Sequence, residues 1–375
     1  MPPSGAPAPA GIVVMEEEDL IPTLHIDPAN HRSQRTALQL TLAQLQKLAD
    51  DFDLGRIVQM DRPLDTQCNT TDPFRTGQGT FLLRARHGEE FVERVEYLHY
   101  LIDRLCEEKF PTAAVVRSRE GKSWTTWGER IVEIHRFIPH DPGIHRDWRR
   151  MNAAASALGD LHTVLSKASP DRTPVPPEMR NDANPQQCWM LLREAEPVIS
   201  AQIGVHPDAE EALGIVRQAQ GALEPLMGDY ARTIGNLPWM TIHGDYHFWN
   251  VLYRADQIAA VVDFDFVQER ERLFDIAYAM QSIILHLRHV HGNRMRSFAD
   301  LAWSNARIWV DLYDEAAPQP LLEMERGWLP MEILRIFLVC IATSTMQEDP
   351  IATVLKNGRD LPLFLWVSEQ KDLFK

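Results

Sequence analysis

The sequence contains few cysteines. Its 375 residues include only four, and these are widely scattered along the chain. No two of them form the Cys-x-x-Cys pair that zinc sites and redox motifs use, and disulfide frameworks need several closely spaced cysteines. The pattern argues against a structural zinc site and a disulfide framework, and it predicts a cytoplasmic protein in a reducing compartment. The cysteines are Cys68, Cys106, Cys188 and Cys340.

Long hydrophobic segments are also absent. A transmembrane helix needs about 18 or more consecutive apolar residues, and no stretch of the chain reaches that length. The longest candidate, residues 333–346, contains Arg335 and several hydroxyl residues, which favours a buried helix. The first 35 residues combine prolines with the acidic run Glu16–Asp19 and lack the basic start and apolar core of a secretory signal. We expect residues 1–35 to form a flexible arm and the protein to make no membrane contact.

Positive charge is in short supply. The chain has 38 Lys and Arg residues against 53 Asp and Glu residues, which gives a formal net charge of −15. Because a phosphate backbone requires a basic surface, this balance disfavours nucleic-acid binding. The acidity fits either the steering of a cationic substrate or simple solubility. The length exceeds the roughly 250 to 300 residues at which single cores stop growing, so two lobes are expected.

The most informative segment is the stretch His243–Val251, which is followed by Asp263 at the end of an apolar run. That run, Ile258–Val262, predicts a buried strand by its length and composition. Asn250 follows Asp245 by five positions, and Asp263 follows Asp245 by eighteen. Phosphoryl transfer needs a carboxylate that accepts a hydroxyl proton and oxygen ligands that hold Mg²⁺. The spacing therefore predicts the active centre of a kinase.

This segment resembles the H-G-D-x-x-x-x-N hallmark of the aminoglycoside phosphotransferase and choline kinase family, with homoserine-kinase-like members the most similar. Leu273–Ala277 resembles the helix start that follows in the family. The resemblance implies an α+β, two-lobed protein-kinase-like fold with a small antiparallel-sheet N-lobe and a larger, mostly helical C-lobe. We expect a nucleotide-binding N-lobe at 36–138 and, at 139–375, a C-lobe with the catalytic loop, metal site and acceptor pocket. Upstream, the family pattern is matched by Asn69, Gly79, Phe81, Leu83 and Arg84.

The resemblance also implies chemical roles. Asp245 would accept the proton of the attacking hydroxyl, and Asn250 and Asp263 would hold Mg²⁺ ions that bridge the phosphates of ATP or GTP. Arg84 would neutralise phosphate charge as a permanent, bidentate cation.

Other side chains would support this centre. His243 and Asp275 would hold the catalytic loop in shape, whereas His162, beside a helical apolar stripe, fits a packed or capping histidine. Asp265 has three open interpretations: a second metal contact, a bracing carboxylate or a solvent-exposed group.

The sequence also predicts contacts within the N-lobe. Glu96, on the edge of a helical apolar stripe, would pair with Arg84; Glu93 is the competitor, and a solvated helix charge is the alternative. The segment 131–139 predicts a strand, and its place between the matched regions implies a hinge that holds adenine. The loop 66–73 lacks the glycines of a phosphate-covering loop. The residues assigned to the hinge are Glu133, Ile134 and His135.

Several alternatives remain open. The acceptor could be a small molecule with a hydroxyl group, such as an amino alcohol, an aminoglycoside or other antibiotic, a sugar or a homoserine-like compound. A protein Ser/Thr kinase of the bacterial stress-response type is the second hypothesis. The third is a metal-dependent hydrolase, because His243, Asp245 and His247 form an H-x-D-x-H pattern that would place three ligands on one face of a strand.

Overall fold

The computed structural model describes residues 40–60, 70–87, 92–142, 147–169, 183–291 and 297–374. The expected arm at 1–35 and Asn69 lie outside the described residues. The chain forms a five-stranded antiparallel sheet followed by a larger, mostly helical part, so the α+β prediction is confirmed.

The sheet has the strand order β1-β2-β3-β5-β4, and each neighbouring pair is antiparallel. Two helices accompany it: α1 precedes the first strand, and α2 connects β3 to β4. The bounds are α1 Leu42–Asp51, β1 Ile57–Met60, β2 Thr70–Thr76, β3 Gly79–His87, α2 Val92–Glu107, β4 Thr125–Trp127 and β5 Arg130–Arg136.

The two faces of this sheet differ in chemistry. Helix α1 begins with a capping box between Thr41 and Gln44. It packs its buried face, including Leu45, against the outer face of the sheet, where Leu83 and Ile134 belong to the same core cluster. Because side chains alternate along a strand, the neighbouring residues of β3 and β5 point to the opposite face. That face carries charged side chains, and it borders the active centre.

The helical part contains eight α-helices among the described residues and two short two-stranded sheets, in which β6 pairs with β9 and β7 with β8. The apolar run predicted as a strand forms β8. The bounds are α3 Trp148–Leu165, α4 Pro185–Ser200, α5 Ala209–Ile234, β6 Trp239–Ile242, β7 Val251–Arg254, β8 Gln257–Val261, β9 Gln268–Glu271, α6 Leu273–His291, α7 Trp303–Ala316, α8 Glu323–Ser344, α9 Pro350–Gly358 and α10 Leu361–Glu369.

Helix α8 is long and apolar enough to cross a membrane by length and composition, yet 67% of its most apolar window is buried inside the protein. Its Arg335 and Glu332 form a fully buried ion pair at 2.6 Å. The helix is therefore a core element, as the sequence predicts for 333–346. It begins at Glu323, earlier than expected.

Candidate active site

The catalytic loop connects β6 to β7 and turns sharply at Gly244. This residue has a φ of +78°, which L side chains rarely adopt. A Cβ atom at this position would lie 2.1 Å from the carbonyl oxygen of Phe266. Only glycine allows the loop to approach the segment 263–266 this closely, and the approach brings Asp245 near the end of β8.

A buried carboxylate holds the start of this loop. The Oδ2 and Oδ1 atoms of Asp275 accept hydrogen bonds from the backbone N–H groups of His243 and Gly244, each at 2.8 Å. His162 Nε2 lies 3.0 Å from the same Oδ2, and its Nδ1 lies 2.9 Å from the Tyr313 hydroxyl. Asp275 is completely buried. Asp275 therefore lies at the catalytic loop, as the sequence predicts. His162 is a packed histidine that contacts Asp275 from the side of α3.

The imidazole of His243 connects the loop to the end of β8. Its Nδ1 accepts a hydrogen bond from the backbone N–H of Asp245 at 3.2 Å, and its Nε2 lies 3.1 Å from the Val262 carbonyl oxygen. Since Nδ1 accepts, Nε2 carries the proton and donates to that carbonyl. Both ring nitrogens are engaged, so this histidine shapes the loop. It has no free nitrogen for the metal ligation that the hydrolase hypothesis requires.

The Asp245 carboxylate is fixed by polar neighbours while part of it stays accessible. Its Oδ2 accepts a hydrogen bond from Asn250 Nδ2 at 2.9 Å and lies 3.4 Å from His247 Nε2. The Tyr278 side chain also hydrogen bonds to it, and burial, followed by the Asp245 charge, raises the pKa of Tyr278 well above its ordinary value. The phenol therefore stays protonated and donates. The Asp245 side chain is 14% exposed, which leaves room for an incoming hydroxyl.

Asn250 and Asp263 both carry side-chain oxygen atoms that could bind a cation. Asn250 uses its amide nitrogen on Asp245, and its backbone carbonyl accepts a hydrogen bond from Val262 N–H at 2.9 Å. This bond brings Asn250 beside Asp263, whose side chain is 40% exposed. Asp263 has a left-handed φ of +66°, a strained conformation for a residue with a Cβ atom. A carboxylate and an amide oxygen suit a hard cation such as Mg²⁺.

Arg84, on β3, reaches this pair of loops. Its Nη2 lies 2.8 Å from Asp263 Oδ1 and 2.6 Å from Asp265 Oδ2, and its Nε lies 3.8 Å from Glu133. Burial alone would lower the pKa of Arg84, but the three carboxylates outweigh burial and raise it. The guanidinium is a permanent cation beside the candidate metal ligand, in a position suited to phosphate oxygens.

Asp265 is a bracing carboxylate. Its side chain is only 3% exposed and accepts hydrogen bonds from Arg84 and from Arg86 Nη1, the latter at 2.5 Å. Burial would raise the pKa of Asp265, but the two guanidinium groups lower it. Of the three interpretations that the sequence leaves open, the structure therefore supports the bracing one. Arg86 was missed, although its i+2 spacing from Arg84 places both on one face of a strand.

The sequence model of the phosphotransferase enzyme family matches residues 69–317. The chain belongs to this family. It is a phosphotransferase with an alcohol group as acceptor, which confirms the reaction class and the family resemblance that the sequence predicts.

Individual relatives agree with this assignment. The homoserine kinase of Phenylobacterium zucineum (strain HLK1) is 26% identical over 307 residues, which cover 80% of this chain and 84% of the relative. The microcompartment-associated aminopropanol kinase superposes with a TM-score of 0.62 at 16% identity, covering 88% of this chain and 97% of that one. Spectinomycin phosphotransferase APH(9)-Ia, in complex with ADP and spectinomycin, gives 0.54 at 10% identity, covering 88% and 98%. These similarities confirm the protein-kinase-like fold.

The structure corrects the predicted partner of Arg84. Glu96 is exposed and accepts a hydrogen bond from Trp124 Nε1 at 3.3 Å, and Glu93 is exposed as well. Helix α2 is rotated so that His99 faces Glu133 of the sheet and Arg94 faces the backbone of Asp265, and both side chains are buried. The prediction that Glu96 pairs with Arg84 is wrong, because helical periodicity does not fix this rotation.

The predicted adenine contacts also need correction. Glu133, Ile134 and His135 lie inside β5, where β3 covers one edge and the segment 113–116 the other. The Ile134 carbonyl accepts a hydrogen bond from Val116 N–H at 2.8 Å, and Glu133 is fully buried among cationic side chains. These groups are already engaged and do not form an open hinge. The chain leaves β5 after Arg136 and continues as the segment 137–142.

Replacing Gly244 with alanine is expected to destabilise the phosphotransferase by roughly 1–3 kcal/mol, because the new Cβ would meet a backbone carbonyl in a left-handed conformation. Urea denaturation measures the change. Gly214→Ala is the matched control, since Gly214 lies exposed in α5 with no atom within 4 Å of an added Cβ. The control should be neutral or slightly stabilising. Equal stability of both variants would contradict the close approach at Gly244.

Proposed function

We propose that the protein transfers the γ-phosphate of ATP or GTP to the hydroxyl group of a small molecule, with Mg²⁺ as cofactor. The observation that carries this proposal is the Asp245 carboxylate, which is fixed by Asn250 and Tyr278 yet partly accessible. Arg84 and Asp263, which contact each other at 2.8 Å, add a candidate phosphate partner and a candidate metal ligand. The proposal assigns the nucleotide-binding role to 36–138 and the acceptor pocket to 139–375.

In the proposed mechanism, Asp245 orients the acceptor hydroxyl and takes its proton as the new oxygen–phosphorus bond forms. Tyr278 and Asn250 hold the carboxylate in position, so one rotamer faces the acceptor. Arg84 exchanges part of its contact with Asp263 for phosphate oxygens and offsets their charge. Mg²⁺, held by the oxygen atoms of Asn250 and Asp263, would supply further charge neutralisation at the phosphates.

We propose that the acceptor also carries an amine. The relatives named above act on homoserine and aminopropanol or bind spectinomycin, and this supports a small acceptor. The net charge of −15 favours the approach of a cation. Trp249, directly before Asn250 in the loop, is 67% exposed and offers an aromatic ring, on which an ammonium group binds favourably.

A thermal-shift titration tests this function. The protein is titrated with ATP, GTP and ADP, each with and without Mg²⁺, and then with matched acceptor pairs such as aminopropanol and propanol. The proposal is supported if a nucleotide stabilises the protein more strongly with Mg²⁺ than without it. Of each acceptor pair, only the compound with the amine should add to this stabilisation. Stabilisation by Zn²⁺ alone would contradict it, and phosphorylation of a protein but of no small molecule would favour the Ser/Thr kinase alternative.

The Asp263→Asn variant is expected to lose the gain in ATP affinity that Mg²⁺ gives, because the neutral amide is a weaker ligand for a hard cation. Its affinity for metal-free ATP should stay equal or increase, since a negative charge near the phosphates is removed and Arg84 loses one partner. Calorimetry with and without Mg²⁺ measures both values. Asp256→Asn, on the nearby β7–β8 turn, is the control and should behave as the parent chain. An unchanged Mg²⁺ effect in Asp263→Asn would contradict the metal role.

A further inference from the structure

A chain of polar contacts extends from His99 on helix α2 to the candidate metal ligand Asp263. His99 Nε2 lies 2.5 Å from Glu133 Oε2, and Glu133 Oε1 accepts a hydrogen bond from Arg86 Nε at 2.8 Å. Arg86 then donates to Asp265 at 2.5 Å, and Asp265 accepts from Arg84. These contacts join α2, β5 and β3 to the loop that carries Asp263.

Glu133 is the anionic centre of this chain. It is fully buried, and burial would raise the pKa of its carboxyl, but Arg86, with His135 and His99, lowers it well below its ordinary value. Burial lowers the pKa of His99, so this imidazole is neutral at pH 7 and donates its Nε2 proton to Glu133. The carboxylate is therefore ionised and fully engaged without a charged partner on α2.

The residues around Glu133 include types that bind metal ions, but the arginines beside Glu133 disfavour a cation there. Ligand atoms of His99, Glu133 and His135 lie within 4.8 Å of one another. However, Arg86 occupies Glu133 Oε1 at 2.8 Å, and Arg84 lies 3.8 Å from the same oxygen. A divalent cation at this point would be repelled by two guanidinium groups. The carboxylate therefore binds arginine and not a metal ion.

We propose that Glu133, on strand β5 beside the central strand β3, positions the phosphate-binding arginine. The sequence instead predicts this task for an acid on helix α2. Glu133 fixes Arg86, and Arg86 fixes Asp265, which holds Arg84 in its place beside Asp263. Arg84 can then release Asp263 to bind phosphate without losing its orientation, because Asp265 and Glu133 still flank it. Glu133 and Arg86 are positioning residues, and this inference rests on the proposed nucleotide site.

The geometry explains why Arg86 is needed between the two acids. Glu133 reaches Arg84 only at 3.8 Å, whereas Arg86 bridges Glu133 and Asp265 with two separate nitrogens at 2.8 Å and 2.5 Å. A guanidinium group spans two carboxylates with fixed geometry, and an ammonium group does not. Arg86→Lys keeps the charge but removes the bridge.

The test compares the affinities of Glu133→Gln for Mg·ATP and for adenosine, which has no phosphate. Mg·ATP should bind about tenfold more weakly, the size expected for one weakened hydrogen bond between charged groups. Adenosine should bind as it does to the parent chain, and kcat at saturating ATP should change far less than KM. Glu96→Gln is the matched control, since its carboxylate contacts Trp124 on the surface, and it should leave both affinities unchanged.

Arg86→Lys provides a second variant with the same expected split between Mg·ATP and adenosine, in case Glu133→Gln does not fold. Equal weakening of Mg·ATP and adenosine would overturn the inference, because it would indicate a general structural or adenine-binding role. Unchanged Mg·ATP affinity in a folded variant would overturn it as well. Failure of the parent chain to bind Mg·ATP would refute the proposed function itself, and the inference with it.

Discussion

Replacing Asp245 with asparagine should lower kcat by roughly 10³-fold, within the range that a positioned general base contributes. The amide retains the size of the side chain and can still accept a hydrogen bond from Asn250 or Tyr278, so the loop should keep its shape. It cannot accept the proton of the acceptor hydroxyl. Because Asp245 makes no contact with Arg84 or Asp263 in the described structure, Mg·ATP affinity should change little.

Turnover and nucleotide binding must both be measured to separate these effects. Asp229→Asn is a matched control, because Asp229 is an exposed carboxylate that pairs with Arg232 on the surface of α5. It should have the kcat of the parent chain. An Asp245→Asn variant that folds, binds Mg·ATP and turns over at the parent rate would show that another group accepts the proton.

The second large effect is expected for Asp275→Asn. The carboxylate accepts two backbone hydrogen bonds from the catalytic loop and lies within hydrogen-bonding distance of His162. An amide would direct its NH₂ group at one of the backbone N–H donors and leave that donor unpaired in a fully buried position. We expect a loss of stability of roughly 3–5 kcal/mol, comparable to breaking a buried ion pair. Turnover should fall as well, since His243 and Gly244, which directly precede Asp245, lose their anchor.

Tyr313→Phe separates the anchor from the outer part of this network. It removes only the hydroxyl that lies 2.9 Å from His162 and leaves Asp275 with all of its own contacts. The expected loss is about 1 kcal/mol with little change in kcat. Urea denaturation and steady-state kinetics on both variants measure the difference. Equal effects of the two substitutions would indicate that Asp275 has no special role at the loop.

The catalytic loop could be predicted from the sequence because its parts are close along the chain. The spacing from His243 to Asn250 and on to Asp263 spans one loop and one hairpin, so local structure alone brings these residues together. Asp275 follows at the start of the next helix. The lobe boundary at 138–139 stays a prediction.

The N-lobe contacts could not be predicted in the same way, because they depend on packing between distant segments. The rotation of α2 against the sheet decides whether Glu96 or His99 faces inward, and the apolar stripe allows both. Glu133 resembles an ordinary strand residue in sequence, and only the three-dimensional structure places its carboxylate between Arg86 and His99. Arg86 could have been predicted, since its i+2 spacing from Arg84 on β3 places both side chains on the same face of the sheet.

The most direct measurement is ³¹P NMR of the parent chain incubated with Mg·ATP and the panel of hydroxylated amines. The account predicts that ADP and a new phosphate monoester appear together, only with Mg²⁺, for one class of small amino alcohol or hydroxylated amino acid. Asp245→Asn should form neither product at a comparable rate. Release of inorganic phosphate without any monoester, or formation of a product that requires no Asp245 carboxylate, would contradict the assignment of this site to phosphoryl transfer onto a small hydroxyl acceptor.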